Sequence, residues 1–263
     1  MSILEYKIVG NGPKTMIFIH GWPDGPDLWD DLVKHFSKKF RCVCLTLPNF
    51  GNHTDNNYST SDLSFPNLVL LITNTINKLQ SDQNEKKIIL IGHDWGAYLS
   101  YMLEQAHPEL IEKLITLDIG AHNKATSLGF IAFMVGYQFY LVMAWIIGKY
   151  FQFAGDTMTR SLAYLMKTPR PMQAKSQMNY MYYYLWRGIL NKKYKDTILR
   201  KYNPLCPLLF LYGKKKPYMF HSQTWLKSIQ EKPHSQVIEM NQSGHWIMKD
   251  EPSKTIEAIE SWP

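Results

Sequence analysis

The sequence predicts an α/β fold: a mostly parallel central sheet flanked by helices, with a helical cap inserted into it. Three observations carry this. Short apolar runs at 41–47, 87–91 and 113–117 are spaced by longer helical patterns, and strands alternating with helices imply parallel βα units. A second set follows at 207–212 and 236–240, with an amphipathic stretch at 219–231 between them. Residues 121–203 have no clear strand pattern and interrupt the alternation. The expected division is a core domain of 1–120 and 204–263 carrying a cap over 121–203. A length of 263 residues suits one such domain with an insertion, and 45% hydrophobic with 19% charged residues describes a globular chain rather than a disordered one.

Taken in order, 4–9 and 15–20 are β-rich runs separated by the turn signal Asn11-Gly12-Pro13, so they are expected to form a hairpin. In the next run Cys42 and Cys44 alternate around Val43, which points both thiols to one face as small hydrophobes. With only Cys206 besides, neither a disulfide framework nor a zinc site is indicated, and a reducing compartment is expected. The first residues, Met-Ser-Ile-Leu-Glu-Tyr, show neither a signal-peptide core nor an arginine-rich presequence, so a cytoplasmic setting is expected.

The run 87–91 enters Gly92-His93-Asp94-Trp95-Gly96. Small residues two before and two after a central side chain mark a strand-to-helix turn too tight for anything larger, one that lifts the central residue out as a nucleophile. Serine there would indicate acyl transfer. Aspartate instead attacks a saturated carbon and forms an alkyl ester on the enzyme, which directs the reading to epoxides and alkyl halides.

Such a nucleophile needs a base to activate water, an acid to orient that base, and donors for the oxyanion. His20-Gly21-Trp22-Pro23 closes the second strand, where the amide of Trp22 is one candidate donor and that of Trp95 the other. The base is expected at His245, in Ser243-Gly244-His245-Trp246 past the last strand, where open α/β sheets build their sites. His20 is expected to shape its loop, and His93, His122, His221 and His234 to be structural. The usual Gly-x-x-Asp after the strand ending at Tyr212 is replaced by Gly213-Lys214-Lys215-Lys216. Asp118, 24 residues after Asp94 and at the end of the next strand, is therefore the candidate acid, against the plainer role of turning the strand end.

The cap holds Asn179-Tyr180-Met181-Tyr182-Tyr183-Tyr184. A tyrosine hydroxyl aimed into the pocket would protonate an opening epoxide oxygen. On a helix Tyr180, Tyr183 and Tyr184 share roughly one face while Tyr182 points elsewhere, so those three are the candidates. Tyr137 and Tyr140 are weaker ones, and packing is the alternative for each. Residues 125–148 carry no charge, and about 20 apolar residues suffice to span a bilayer. Three glycines, Gln138 and two tyrosines dilute this segment, so a cap helix over an apolar pocket is the first reading, with membrane contact and a true span as alternatives.

The net charge of +7 comes from lysines in many segments, including Lys38-Lys39, Lys86-Lys87, Lys192-Lys193 and Lys214 to Lys216. No nucleic-acid module is recognisable. A small apolar substrate is the expected partner; a membrane or protein contact through the cap stays open, and the oligomeric state is unreadable.

With these residues in hand, the chain resembles the epoxide hydrolase and haloalkane dehalogenase branch of the α/β-hydrolase superfamily over most of 14–120 and 204–252. His20 to Pro23, the turn Leu47-Pro48-Asn49-Phe50-Gly51, Gly92 to Gly96 and Gly244-His245-Trp246 carry the likeness. The resemblance implies Asp94 as nucleophile, His245 as base, no metal or organic cofactor, and, as in some dehalogenases, an acid where Asp118 lies. Dehalogenases commonly hold halide with Asn at the position of Trp22 and Trp at that of Trp95, and only the second is present. Epoxide hydrolases of the branch tolerate an aromatic at the Trp22 position and use cap tyrosines, but their commoner acid position is Lys216 here. The expected function is epoxide-hydrolase-like. Its alternatives are a dehalogenase-like hydrolase and a non-catalytic subunit of a larger assembly, the latter motivated by the lysine triplet, the basic balance and the uncharged cap segment.

Overall fold

In a computed structural model, which describes residues 2–51, 63–122, 127–191, 199 and 202–263, seven strands form one sheet. They are β1 (Glu5–Val9), β2 (Thr15–Ile19), β3 (Arg41–Thr46), β4 (Ile88–His93), β5 (Ile111–Leu117), β6 (Leu208–Gly213) and β7 (Gln236–Met240). The order is β1-β3-β2-β4-β5-β6-β7; β1 is antiparallel to β3 and every other pairing is parallel. The central strands β2, β4 and β6 are buried along their whole length. That is the reason they read as continuous apolar runs rather than alternating ones.

Successive residues of each strand serve opposite cores. Ile17, Ile19, Leu90 and Phe210 join the layer that includes α2 (Phe65–Gln83) and α3 (Trp95–Ala106). Phe18, Ile91, Leu117 and Leu211 join the layer under α1 (Asp30–Phe36), α8 (Ile247–Asp250) and α9 (Pro252–Ser261), and both Cys42 and Cys44 lie buried in that second layer. Between α1 and α9 on one side and α2, α3 and α7 (Gln223–Gln230) on the other, the sheet is covered on both faces.

The expected hairpin does not form. Its two strands are present, but β1 pairs with β3, Glu5 opposite Thr46, and the two edges of β2 are taken by β3 and β4. A parallel crossover through α1 delivers β3 to the flank of β2 that a hairpin partner would have used. β1, partly exposed, is left to cap the sheet edge.

Between β5 and β6 lies the helical insert: α4 (Leu128–Tyr150), α5 (Gln152–Leu165) and α6 (Tyr180–Leu190), with no strand among its described residues. Residues 125 and 126 of the uncharged segment, and the lysine pair at 192 and 193, lie outside the described residues. Gly148 and Gly155 bring α4 against α5, where a Cβ on Gly155 would collide with the Gly148 and Ala144 backbone.

The elbow is packed closely against β2. A methyl group on Gly96 would fall inside contact distance of the Ile19 and His20 carbonyl oxygens on neighbouring β2, and one on Gly92 would meet Gly96 itself and Ser100. Gly96→Ala is therefore expected to destabilise the protein by about 1–3 kcal/mol, the usual range for overpacking a filled interior. Urea unfolding checks this; an unchanged midpoint would contradict the close approach.

Candidate active site

Asp94 sits between β4 and α3 at φ 54° and ψ −121°, a conformation in which a residue with a Cβ is strained. The surroundings hold it there: Gly92 and Gly96 clear the turn, and the Asp94 carbonyl accepts the Tyr98 amide. Its carboxylate is thereby raised into a cavity of about 910 Å³ lying between the carboxyl ends of the strands and the helical insert.

The two carboxylate oxygens differ. Oδ1 accepts the Trp22 backbone N–H at 2.8 Å, while Oδ2 lies 3.6 Å from His245 Nε2, beyond hydrogen-bond reach. Trp95 is the first residue of α3, so its N–H has no partner within the helix. A Cβ on Gly21 would touch both the Trp95 nitrogen and the Asp94 side chain, which places that amide on the same side as Oδ1. The loop carrying Trp22 is tied by His20, whose Nε2 accepts the Leu47 amide and whose Nδ1 donates to the Gly21 carbonyl. Burial depresses the His20 pKa to about 4, so it stays a neutral structural imidazole.

His245 follows β7 in a loop fastened by two acids: Glu251 accepts from Ser243 Oγ at 2.7 Å and Asp250 from the Gly244 amide at 2.7 Å. His93, the last residue of β4, donates its Nε2 hydrogen to the His245 carbonyl and lies ring to ring with it at 4.5 Å. Burial, and then the neighbouring His245 charge, push the His93 pKa down to about 3, which keeps it neutral. Sequence reasoning gave His93 no part in the site, and only the topology that stacks β4 against the β7 loop reveals it.

The structure brings Asp118 to the other side of the same imidazole. Fully buried, with φ 70°, it accepts the His245 Nδ1 hydrogen on Oδ2 at 2.5 Å. Its Oδ1 accepts the Gly213 amide at 3.1 Å and a close contact from the Lys216 ammonium. Burial would raise the Asp118 pKa, but Lys216 and His245 outweigh it and hold the carboxyl down at about 2. For His245 burial acts downward, while the Asp118 hydrogen bond and the nearby Asp94 carboxylate lift it to about 9. In the resting site the ring is a cation held between two carboxylates. Lys216, itself pulled down by burial and supported by Asp118, stands where an acid is common and serves as counter-charge to the acid that is present.

The cap tyrosines face differently from the helical-face expectation. Tyr180 is packed against Phe50 in the core, Tyr183 lies on Trp145, and Tyr184 packs edge-on against Tyr183; none of the three lines the cavity. Tyr182 does, edge-on to both Trp22 (5.8 Å) and Trp95 (5.2 Å), and Tyr137 of α4 joins it at 5.8 Å. Burial, reinforced by the Asp94 charge, raises both phenols, so each remains a proton donor. The spacing groups 180, 183 and 184 on one face of α6, but that face packs into the protein; the side bearing Tyr182 and Leu185 meets the cavity. Tyr140 is exposed.

A carboxylate lifted on a glycine-flanked elbow, beside a histidine that a second buried acid orients, on a mostly parallel seven-stranded sheet defines an α/β hydrolase. The chain belongs to the alpha/beta hydrolase fold family, whose model matches residues 14–252. It is 23% identical to "Epoxide hydrolase 1" of Caenorhabditis elegans, over 98% of this chain and 67% of that protein. It is 22% identical to "Epoxide hydrolase 4" of Homo sapiens over 92% and 70% respectively. Both relatives are epoxide hydrolases by name, and the likeness is to that branch. Among solved structures, an epoxide hydrolase variant from Bacillus megaterium bound to its diol product superimposes with a TM-score of 0.68 at 22% identity, covering 98% of this chain and 96% of that one. A marine microorganism esterase superimposes with a TM-score of 0.70 at 16% identity over the full length of both chains. At these identities the structural likenesses establish the fold.

The charge arrangement makes a signed prediction. Removing the Asp94 charge with Asp94→Asn takes away one support of the imidazolium, and the His245 pKa is expected to fall. Lys216→Met removes a cation that competes for Asp118, and the His245 pKa is expected to rise. Titration of the His245 ring by NMR reads both; shifts of the same sign in the two variants would contradict this electrostatic arrangement.

Proposed function

We propose that the protein hydrolyses epoxides through a covalent ester on Asp94. The observation that carries this reading is the division of labour between the Asp94 oxygens: Oδ1 is held by the Trp22 amide, Oδ2 lies on the His245 side, and Asp94 lines one cavity with Tyr137 and Tyr182. Oδ2 attacks an epoxide carbon, the C–O bond breaks, and a phenol of Tyr182 or Tyr137 gives its proton to the departing alkoxide. The enzyme then carries a hydroxyalkyl ester.

Ester formation also removes the Asp94 charge that helps keep His245 protonated. The imidazole pKa falls at that moment, the ring's proton passes to the phenolate left by ring opening and restores the phenol, and Nε2 becomes free to take one from water. Water adds to the ester carbon, and the resulting oxyanion develops on Oδ1, at the Trp22 and Trp95 amides. Collapse releases the diol and restores the carboxylate. Asp118 keeps the imidazole in the tautomer this step needs, with Nδ1–H toward the acid. The resting cation thus becomes a base only after alkylation, and no metal or cofactor takes part in this sequence.

The halide alternative is disfavoured by one contact. Trp22 lines the cavity, but its Nε1 donates to Asn179 Oδ1 at 2.7 Å, so the indole N–H at the position where dehalogenases carry their halide-binding Asn is already spent and not free for a halide.

Isotope transfer tests the covalent step. In a single turnover in ¹⁸O water the new diol oxygen is expected to be ¹⁶O, from Asp94, with the label retained in the Asp94 side chain; label in the first diol would mean that water attacks the epoxide directly. Replacing both Tyr137 and Tyr182 by Phe is expected to slow ring opening by about 10²–10⁴-fold, the range for a lost general acid. Pre-steady-state measurement of ester formation gives that value, and an unchanged rate would remove the tyrosines from the mechanism.

A further inference from the structure

The charge of +7 is not spread evenly. Residues 121–203 carry twelve Lys and Arg against two Asp, a net +10, while the rest of the chain has seventeen against twenty Asp and Glu, a net −3. One of the two cap acids, Asp156, is buried and bonded to Ser176.

This basic unit presents an apolar face to solvent. α4 is long and apolar enough to cross a bilayer by length and composition, yet only 33% of its most apolar stretch is buried. One side packs on α5 and α6 and reaches the cavity through Tyr137. The other carries Leu128, Phe139, Met143, Ile146 and Tyr150, spaced so that they follow one stripe, with Met143 48% and Leu128 85% exposed. Phe139 packs at a tilt against Trp186 of α6, ring centres 4.7 Å apart, which joins the stripe to exposed Ile189 and Leu190. Phe133 and Leu165, 37% and 74% exposed, line the mouth of the cavity.

Exposed lysines flank these apolar groups. Lys149 lies beside the stripe with its ammonium 3.5 Å from the Trp145 ring centre, and Lys167 follows exposed Tyr164 and Leu165. Neither makes an ion pair among the described residues. An apolar stripe with the unpaired Lys149 at its edge, on an insert whose cavity mouth carries the unpaired Lys167, matches the interfacial plane of an anionic bilayer, whose acyl boundary takes the side chains and whose headgroups take the charge. A second copy of the chain fits less well, because a two-fold contact through this stripe would set two insertions of +10 face to face.

We propose that the outer face of α4, with its lysine flanks, docks the protein on an anionic lipid surface. Docking leaves the insert folded, since the inner side of α4 stays packed; the helix lies on the membrane and does not span it. The proposal is independent of the chemistry at Asp94 and is read without turnover.

Sedimentation of the full chain with phosphatidylcholine vesicles, and with vesicles containing about 30% phosphatidylserine, tests it. Binding at least about tenfold tighter to the anionic vesicles, weakening as salt is raised, is the expected result. Met143→Glu with Ile146→Glu, on the exposed stripe, is expected to abolish it. Lys149→Glu with Lys167→Glu is expected to erase the preference for phosphatidylserine, and this pair decides the question should the first not fold. Binding to neither vesicle, or equal binding to both, would overturn the proposal. So would a dimer that Met143→Glu disperses, which would assign the stripe to contact between copies.

Discussion

A carboxylate without exposed surface stays ionised in a protein interior only if its oxygens are paired, and Asp118 satisfies that condition with groups from three places in the chain. Gly213 ends β6, Lys216 lies in the loop after it, and His245 lies in the loop after β7. Stripped of any one partner, the buried charge would be costly, because leaving half of a buried pair unmatched typically costs about 3–5 kcal/mol. The need to pair this one residue therefore fixes two loops and the ring that stands between them. The backbone agrees: the Asp118 amide still bonds to Leu211 on β6, so the carboxylate is anchored by the sheet itself before its side chain meets anything.

The site is then an arrangement of five charged or titratable groups, each constraining the next. Lys216 shares Asp118 with His245; His245 shares itself between Asp118 and Asp94; His93, neutral by burial, braces the His245 backbone. A buried Asp24, raised to about 6 by burial, accepts the Trp246 indole hydrogen at 2.7 Å and pins the residue after the histidine. In such an array a change of one charge is felt by its neighbours, and in the proposed mechanism this couples alkylation of Asp94 to the protonation of His245. The lysine thus acts as a counterweight: it takes part of the acid's charge and makes His245 easier to deprotonate than an unshared carboxylate would.

Much of this was legible in the sequence where local sterics or strand order dictate the outcome. Gly92 and Gly96 announce the elbow because a side chain at the first would collide with the turn itself and at the second with the end of β2, and buried parallel strands announce themselves as uninterrupted apolar runs. Consecutive parallel strands place Asp94, Asp118 and His245 at one sheet end whatever the details. What was not legible depends on pairing or orientation across long separations. β1 finds its partner 41 residues on, Glu5 against Thr46, and nothing within 4–20 distinguishes that from a hairpin. Helical spacing grouped Tyr180, Tyr183 and Tyr184 correctly, but which side of α6 faces the cavity is set by the packing of the whole insert, and it is Tyr182 that arrives there. Lys216 reads as a lost acid in one dimension and as a partner of Asp118 in three. The charge asymmetry of the insert was countable from the outset, but its meaning needed the exposed stripe beside it.

In the proposed mechanism Asp94 becomes esterified and His245 is needed only to release it. Intact mass of a His245→Gln variant after incubation with a panel of epoxides, followed by mapping of the modified peptide, measures this most directly. The mechanism predicts a stable adduct equal in mass to one whole epoxide, located on Asp94. A folded variant that carries no adduct across the panel, or carries it on another residue, would contradict it.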